Sequence, residues 1–309
     1  MDGRGRGKRS TVEDVKVASV AAVALLALAP HLAQQKPPLK SNVEVTVVTV
    51  TVRDANGRLV TELGRDAFQV YEDGAPMTVT QFTNERVPLG AGVLLDISDS
   101  MFGHRINDAR TAVERFLDLL APADAFFVMA FNHEPHLLFG WKTDRAGVHE
   151  ALDKLRPSGG TANYDAILAA EPYITARPRE RAALVLITDG ADTASDTTFH
   201  DLRPTLVRTD TFVYAIAIDT PEPQPIASRV DVQALTDITS QSGGYTEVVR
   251  DTADLQTATA NIADELNKQY VLGYSSPHPG DGQYHSIRVR TVDPTYRVHA
   301  RSGYIAMKR

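Results

Sequence analysis

Four short apolar runs, AGVLLD (Ala91–Asp96), AFFVMAF (Ala125–Phe131), AALVLITD (Ala182–Asp189) and TFVYAIAID (Thr211–Asp219), are separated by stretches of helical periodicity. That alternation restricts the middle of the chain more than any other feature. Ile106, Ala109, Val113, Phe116, Leu117 and Leu120 recur at three- and four-residue spacing after the first run. Leu255, Ile262 and Leu266 do the same after Asp251, a residue placed to cap a helix. Strands interleaved with helices form βαβ units and a mostly parallel sheet, and a run such as ALVLI, apolar at every position, belongs inside that sheet with helices covering both faces. The expectation is a doubly wound α/β domain over residues 88–268.

Both flanks carry a different period. Val43, Val45 and Val47 alternate in one phase and Val48, Val50 and Val52 in the other, which predicts a strand with a bulge or a switch of faces. Asn56-Gly57 and Asp73-Gly74 are turn signals because both pairs tolerate positive φ, so FQVYE and MTVTQF read as a hairpin. Near the carboxyl terminus QYVLGYS, QYHSIRVRTV and YRVHARSGYIA read as short strands broken by Pro277, Pro279, Asp281-Gly282 and Pro294. The economical arrangement is one small β-sandwich assembled from 41–87 and 269–309, with the α/β domain inserted between its halves.

Ligands of open parallel sheets bind beyond the carboxyl ends of the strands. Two strands end there in the same chemistry. The first leaves the core at Asp96 and continues through Ser98 and Ser100, positions that share one side of an extended chain and so bring three oxygens toward one point. The third run ends at Asp189, with Gly190 permitting a turn, and PSGGTANYDAI places Thr161 between a Gly-Gly corner and a helix. Five oxygen-bearing side chains without sulfur or imidazole suit a hard cation such as Mg²⁺.

Asp96-x-Ser98-x-Ser100, Thr161 and Asp189, in that order on those elements, resemble the metal-ion-dependent adhesion site of the von Willebrand factor A domain. The resemblance covers 88–268, and the flanking β segments resemble those of bacterial, acidobacterial-type proteins that carry this domain. It implies a Rossmann-like sheet with Mg²⁺ or Mn²⁺ at its top, Ca²⁺ remaining open, and recognition of a protein partner rather than catalysis. In the family the two serines and the threonine contact the metal directly or through water, the two aspartates often act through water, and one position is left for an acidic side chain of the ligand. Those roles would fall to Ser98, Ser100, Thr161, Asp96 and Asp189. Three neutral hydroxyls leave most of a divalent charge uncompensated, which is why an incoming carboxylate would be attracted. Asp99 stands where the family usually has glycine. It reads as a solvated turn residue tolerating unusual φ, or as an added negative charge that shifts metal choice toward Ca²⁺ or competes with the incoming carboxylate.

Several function classes drop out. A formal net charge of -7 argues against binding a phosphate backbone, and the absence of cysteine excludes disulfides, thiolate metal sites and cysteine nucleophiles. Within 1–40, Arg4, Arg6, Lys8 and Arg9 precede an apolar stretch from Val17 to Ala29 that is shorter than the about 20 residues of a spanning helix. That order resembles a secretory leader and points to an exported protein, periplasmic, secreted or envelope-associated, touching a membrane through this segment if at all. FNHEPH, with His133, Glu134 and His136, lacks the helix a zinc-binding His-Glu-x-x-His needs because Pro135 interrupts it, and reads as a hairpin turn. Asp192 and Asp196 read as an exposed acidic loop, and the proline-rich DTPEPQPIAS as a connector or a shaper of partner choice. Two other functions stay open: a metal-assisted hydrolase, for which no general base or Gly-x-Ser-x-Gly elbow is visible, and a purely structural cation tying three loops together.

Overall fold

A computed structural model describes residues 45–176, 181–209, 211–219 and 229–308. The leader-like segment, Val43 and most of the proline-rich stretch after Asp219 lie outside the described residues. In chain order the first strands are β1 (Val45–Arg53), β2 (Phe68–Glu72), β3 (Ala75–Met77), β4 (Val79–Thr83) and β5 (Leu89–Asp96). Then come α1 (His104–Leu119), β6 (Ala125–Phe131), β7 (Pro135–Lys142), α2 (Val148–Lys154), α3 (Asn163–Thr175), β8 (Arg181–Thr188), α4 (Phe199–Arg208) and β9 (Thr211–Ile218). The last part holds α5 (Val232–Ser242), β10 (Thr246–Val249), α6 (Thr252–Asn267), β11 (Tyr270–Ser275), β12 (Tyr284–Thr291), β13 (Arg297–Ala300) and β14 (Gly303–Ile305).

The central sheet runs β10-β9-β8-β5-β6-β7, parallel except for β7, which turns back on β6 as a hairpin through the FNHEPH stretch. Pro135 thus opens an edge strand instead of breaking a helix, a position where proline costs no ladder hydrogen bond. Alternation along β5 sorts the core into two layers. Ala91, Val93 and Leu95 face Ile106, Val113 and Phe116 of α1 and Leu255, Ile262 and Leu266 of α6. Leu94 faces the other way, toward Ala166 and Ile167 of α3, Leu202 of α4 and Leu235 of α5. The doubly wound expectation is met. Gly92 lies on that second face, where a Cβ would stand 2.3 Å from Phe127 Cζ and 2.5 Å from Leu184 Cδ2. Gly92→Ala is therefore expected to cost about 1–3 kcal/mol through overpacking, read as a lower denaturant midpoint with unchanged slope.

The flanking segments form two four-stranded sheets, β13-β1-β11-β4 and β14-β12-β2-β3, each mixing strands from both ends of the chain. Val48, Val50, Val52, Phe68, Val70, Leu272, Tyr274, Ile287 and Val289 fill the space between them as a sandwich core. Two local expectations need correction. β1 has neither bulge nor face switch: its register with β11 is unbroken from Val45↔Ser275 to Val50↔Tyr270. Val45 and Val47 simply begin the opposite face, which Thr51 and Arg53 continue toward α6; the irregularity in this sheet falls between Gly273 and Tyr274, where β11 meets β4. The Asp73-Gly74 hairpin forms, with φ of 48° and 81°, but it joins β2 only to the three-residue β3. The second predicted run splits at Thr78, and its remainder, β4, pairs with β11 in the other sheet. Among the described residues, no helix is long and apolar enough to cross a membrane.

Candidate metal centre

Parallel pairing of β5 with β8, in register from Leu89↔Arg181 to Leu95↔Ile187, sets their carboxyl ends side by side and so makes neighbours of Asp96 and Asp189. Asp96 is fully buried. Its Oδ1 accepts the Ser98 amide at 2.7 Å and its Oδ2 accepts the Thr188 hydroxyl at 2.6 Å. The Ser98 and Ser100 hydroxyls lie 3.0 Å apart, and Ser100 Oγ donates to Asp189 Oδ1 at 2.5 Å. A continuous extended chain does not produce this convergence, as the spacing alone suggested. The strand stops at Asp96, Ser98 stays extended, and Asp99–Met101 coils into a 3₁₀ turn that swings Ser100 back over the sheet.

Thr161 enters from the loop before α3. Its amide bonds Thr193 Oγ1 at 3.0 Å, and its carbonyl accepts the amides of Thr193 and Ala194 at 2.8 and 3.0 Å. A Cβ placed on Gly190 would stand 3.0 Å from Thr161 Oγ1 and 3.7 Å from Ser100 Oγ, so both hydroxyls border the space that Gly190 leaves open. The chain bends at Asp189–Gly190 as expected, but Gly190 is not in the positive-φ region; what glycine supplies there is the missing side chain. All five predicted residues are thus brought to one place, Asp96, Ser98, Ser100 and Asp189 through hydrogen bonds and Thr161 across Gly190.

Other residues complete the setting. Arg105, in the first turn of α1 and nearly buried, donates to Ser100 O at 2.7 Å and to Asp189 Oδ2 at 3.3 Å. Asn163 donates to Gly190 O at 3.3 Å and leaves its buried Oδ1 without a hydrogen bond. Burial pushes Asp96 up to about 7, with repulsion from Asp189 adding to it against the Thr188 and Ser98 hydrogen bonds. Burial also raises Asp189, opposed by Ser100 and Arg105. Two carboxyls driven toward their protonated forms, three hydroxyls, an orphaned amide oxygen and a cleft kept clear by glycine fit a hard divalent cation.

The neighbouring candidates behave differently. Asp99 is exposed and does not have positive φ, so strained backbone is not its role; its amide donates to Gly159 O at 2.9 Å and ties the turn to the Gly-Gly corner. Asp192 accepts the Tyr164 amide at 3.0 Å, acting at the start of α3 rather than as a loose acidic residue. His133 lies on the rim, where a Cβ on Gly159 would meet its Nδ1 at 2.6 Å. Thr188, Arg105 and Asn163 escaped the sequence reading. The Thr188-Asp189 adjacency at a strand end was the one available signal for the first, and none pointed to the other two.

Residues 93–191 match the sequence model of the von Willebrand factor type A domain. The chain is 28% identical over 122 residues to inter-alpha-trypsin inhibitor heavy chain H2 of Mus musculus, a match covering 36% of this chain and 13% of that protein. It therefore spans well under two thirds of the curated relatives it matches. Among solved structures it is similar to a von Willebrand factor type A protein from Catenulispora acidiphila, with a TM-score of 0.52 at 14% identity over 86% of this chain and 74% of that one. It is also similar to proximal thread matrix protein 1 of the mussel byssus, solved with a zinc-occupied MIDAS motif, with a TM-score of 0.52 at 16% identity over 63% of this chain and 49% of that one. Likeness at such identities speaks to fold. Sheet order, helical layers and sequence match agree that the chain carries a von Willebrand factor type A domain.

Proposed function

We propose that this chain is a noncatalytic, metal-dependent protein-binding module of an exported bacterial protein. In it Asp96, Ser98, Ser100, Thr161 and Asp189 hold Mg²⁺ or Mn²⁺, and an acidic side chain of a protein partner completes the shell. The observation that carries the reading is the hydrogen-bonded chain Asp96–Ser98–Ser100–Asp189 with Thr161 beside it, a mostly neutral oxygen set that leaves a bound cation electrophilic. Its place is right for a partner, because Phe102, 76% exposed, directly follows the turn and offers an apolar contact next to the cleft. The loops around the cleft are already tied by their own backbone: Ser158 to Ile97 at 2.8 Å, Asp99 to Gly159 at 2.9 Å, and Ala162 to Asn132 at 2.7 Å. A cation is not required to staple them, which weighs against a purely structural ion. Export rests on the basic amino-terminal stretch and the short apolar segment after it.

The test is retention of partners from bacterial envelope extract on the immobilised chain. A protein held in Mg²⁺, released by EDTA and absent from the Ser98→Ala/Ser100→Ala variant is the expected result. Retention that ignores both EDTA and the double variant overturns the metal-gated reading.

A further inference from the structure

A second cluster of ligating side chains sits in the β-sandwich, in the sheet built from β2, β3, β12 and β14. The Asp73-Gly74 turn that joins β2 to β3, the end of β2 and the loop leading into β12 meet there. Glu72, Asp73, His278 and His285 each offer one ligand atom, and these four atoms lie within 4.8 Å of one another. We propose that this cluster is a binding site for a borderline transition-metal cation of the Zn²⁺ type, separate from the centre at Asp96.

Three observations support the assignment. The donor set pairs two imidazoles with two carboxylates, which suits zinc-like ions and differs in kind from the all-oxygen set at the sheet. His285 is 5% exposed and its two nitrogens are divided: Nδ1 faces Asp73 Oδ2 at 2.7 Å, while Nε2 lies 3.1 Å from both oxygens of Asp281, which is outside the four-residue cluster. A carboxylate behind one nitrogen, fixing the ring so that the other points at the remaining ligands, is how metal-binding histidines are oriented. His278 stacks on His285 with centroids 4.5 Å apart and planes 6° apart, which sets a second imidazole beside the first; exposed, it can turn its ring to bring a nitrogen lone pair to the ion.

Charge supplies the next step. Glu72 is 1% exposed and accepts hydrogen bonds from two hydroxyls, Ser276 Oγ at 2.6 Å and Tyr304 OH at 3.3 Å. With Asp73 and Asp281, three carboxylates surround two histidines. Beside Glu72 the Tyr274 hydroxyl is fully buried and is kept protonated by burial and by that carboxylate. A carboxylate buried beside two imidazoles is a ligand whose charge a bound cation would neutralise.

The test uses untagged full chain stripped of metal, titrated with ZnCl₂ by calorimetry in the Asp96→Asn background, so that the first centre does not contribute. One equivalent of Zn²⁺ is expected to bind, with affinity falling at least tenfold in His278→Ala, an exposed position whose loss spares the fold. Saturating Mg²⁺ is expected to leave the Zn²⁺ isotherm unchanged. No Zn²⁺ binding in Asp96→Asn, or binding that His278→Ala leaves intact, overturns the proposal. The adhesion-type reading stands or falls separately, since its readout is partner retention in Mg²⁺.

Discussion

Arg53→Met is expected to lower the unfolding free energy by about 3–5 kcal/mol, because it strands a charge in the interior. Glu265, on α6, is fully buried, and both Arg53 Nε at 3.0 Å and Nη2 at 2.5 Å donate to its Oε2. Its Oε1 accepts Thr51 Oγ1 at 3.0 Å and Tyr214 OH at 3.1 Å. Thr51 and Arg53 lie on β1 of the sandwich, Tyr214 on β9 of the central sheet, so one carboxylate joins the two parts of the fold. The cost lies in breaking the pair, not in any large net gain from having it. Arg53→Met combined with Glu265→Gln, which keeps a neutral acceptor for both hydroxyls, is accordingly expected to recover at least half of the loss. Urea unfolding of the two variants measures the difference. A single variant within about 1 kcal/mol of the wild type would mean that water already compensates Glu265.

The same residue shows where sequence reasoning reaches its limit. Periodicity places Ile262 and Leu266 on a buried face, but a glutamate beside them reads as solvated, since nothing in the local pattern announces an arginine more than two hundred positions away. Arg105 was hidden in the same way: a basic residue at the start of a helix is ordinarily on the surface, and it is buried here because Asp189 comes from another strand to meet it. His278 and His285 fell in what read as turn and strand, and only the return of β12 against β2 brings them to Glu72 and Asp73. What could be read was whatever local pattern controls: apolar runs with helices between them, a carboxylate where a strand leaves the core, a glycine beside a functional hydroxyl. The split of β3 from β4 was illegible because a three-residue strand and a one-residue break carry no period of their own.

Asp96→Asn should separate the charge of the candidate metal centre from its shape. The asparagine Oδ1 can still accept the Ser98 amide, and its Nδ2 can donate to Thr188 Oγ1, so the two contacts that hold Asp96 at 2.7 and 2.6 Å have neutral counterparts. What disappears is a carboxylate whose ionisation is opposed by burial and by Asp189. In EDTA the variant is therefore expected to melt no lower than the wild type. Mg²⁺ gives the opposite ranking. At about 100 times its Kd the cation stabilises the wild type by about 2.7 kcal/mol through binding to the folded state, whereas the variant, lacking one of two carboxylates, binds at least a hundredfold more weakly and gains less than about 0.5 kcal/mol at the same concentration. Thermal melts with and without MgCl₂, repeated with MnCl₂, check both halves. If wild type and Asp96→Asn respond equally to the cations, Asp96 is a buried acid satisfied by Ser98 and Thr188 alone, and the cluster at the end of β5 is a polar turn rather than a metal centre.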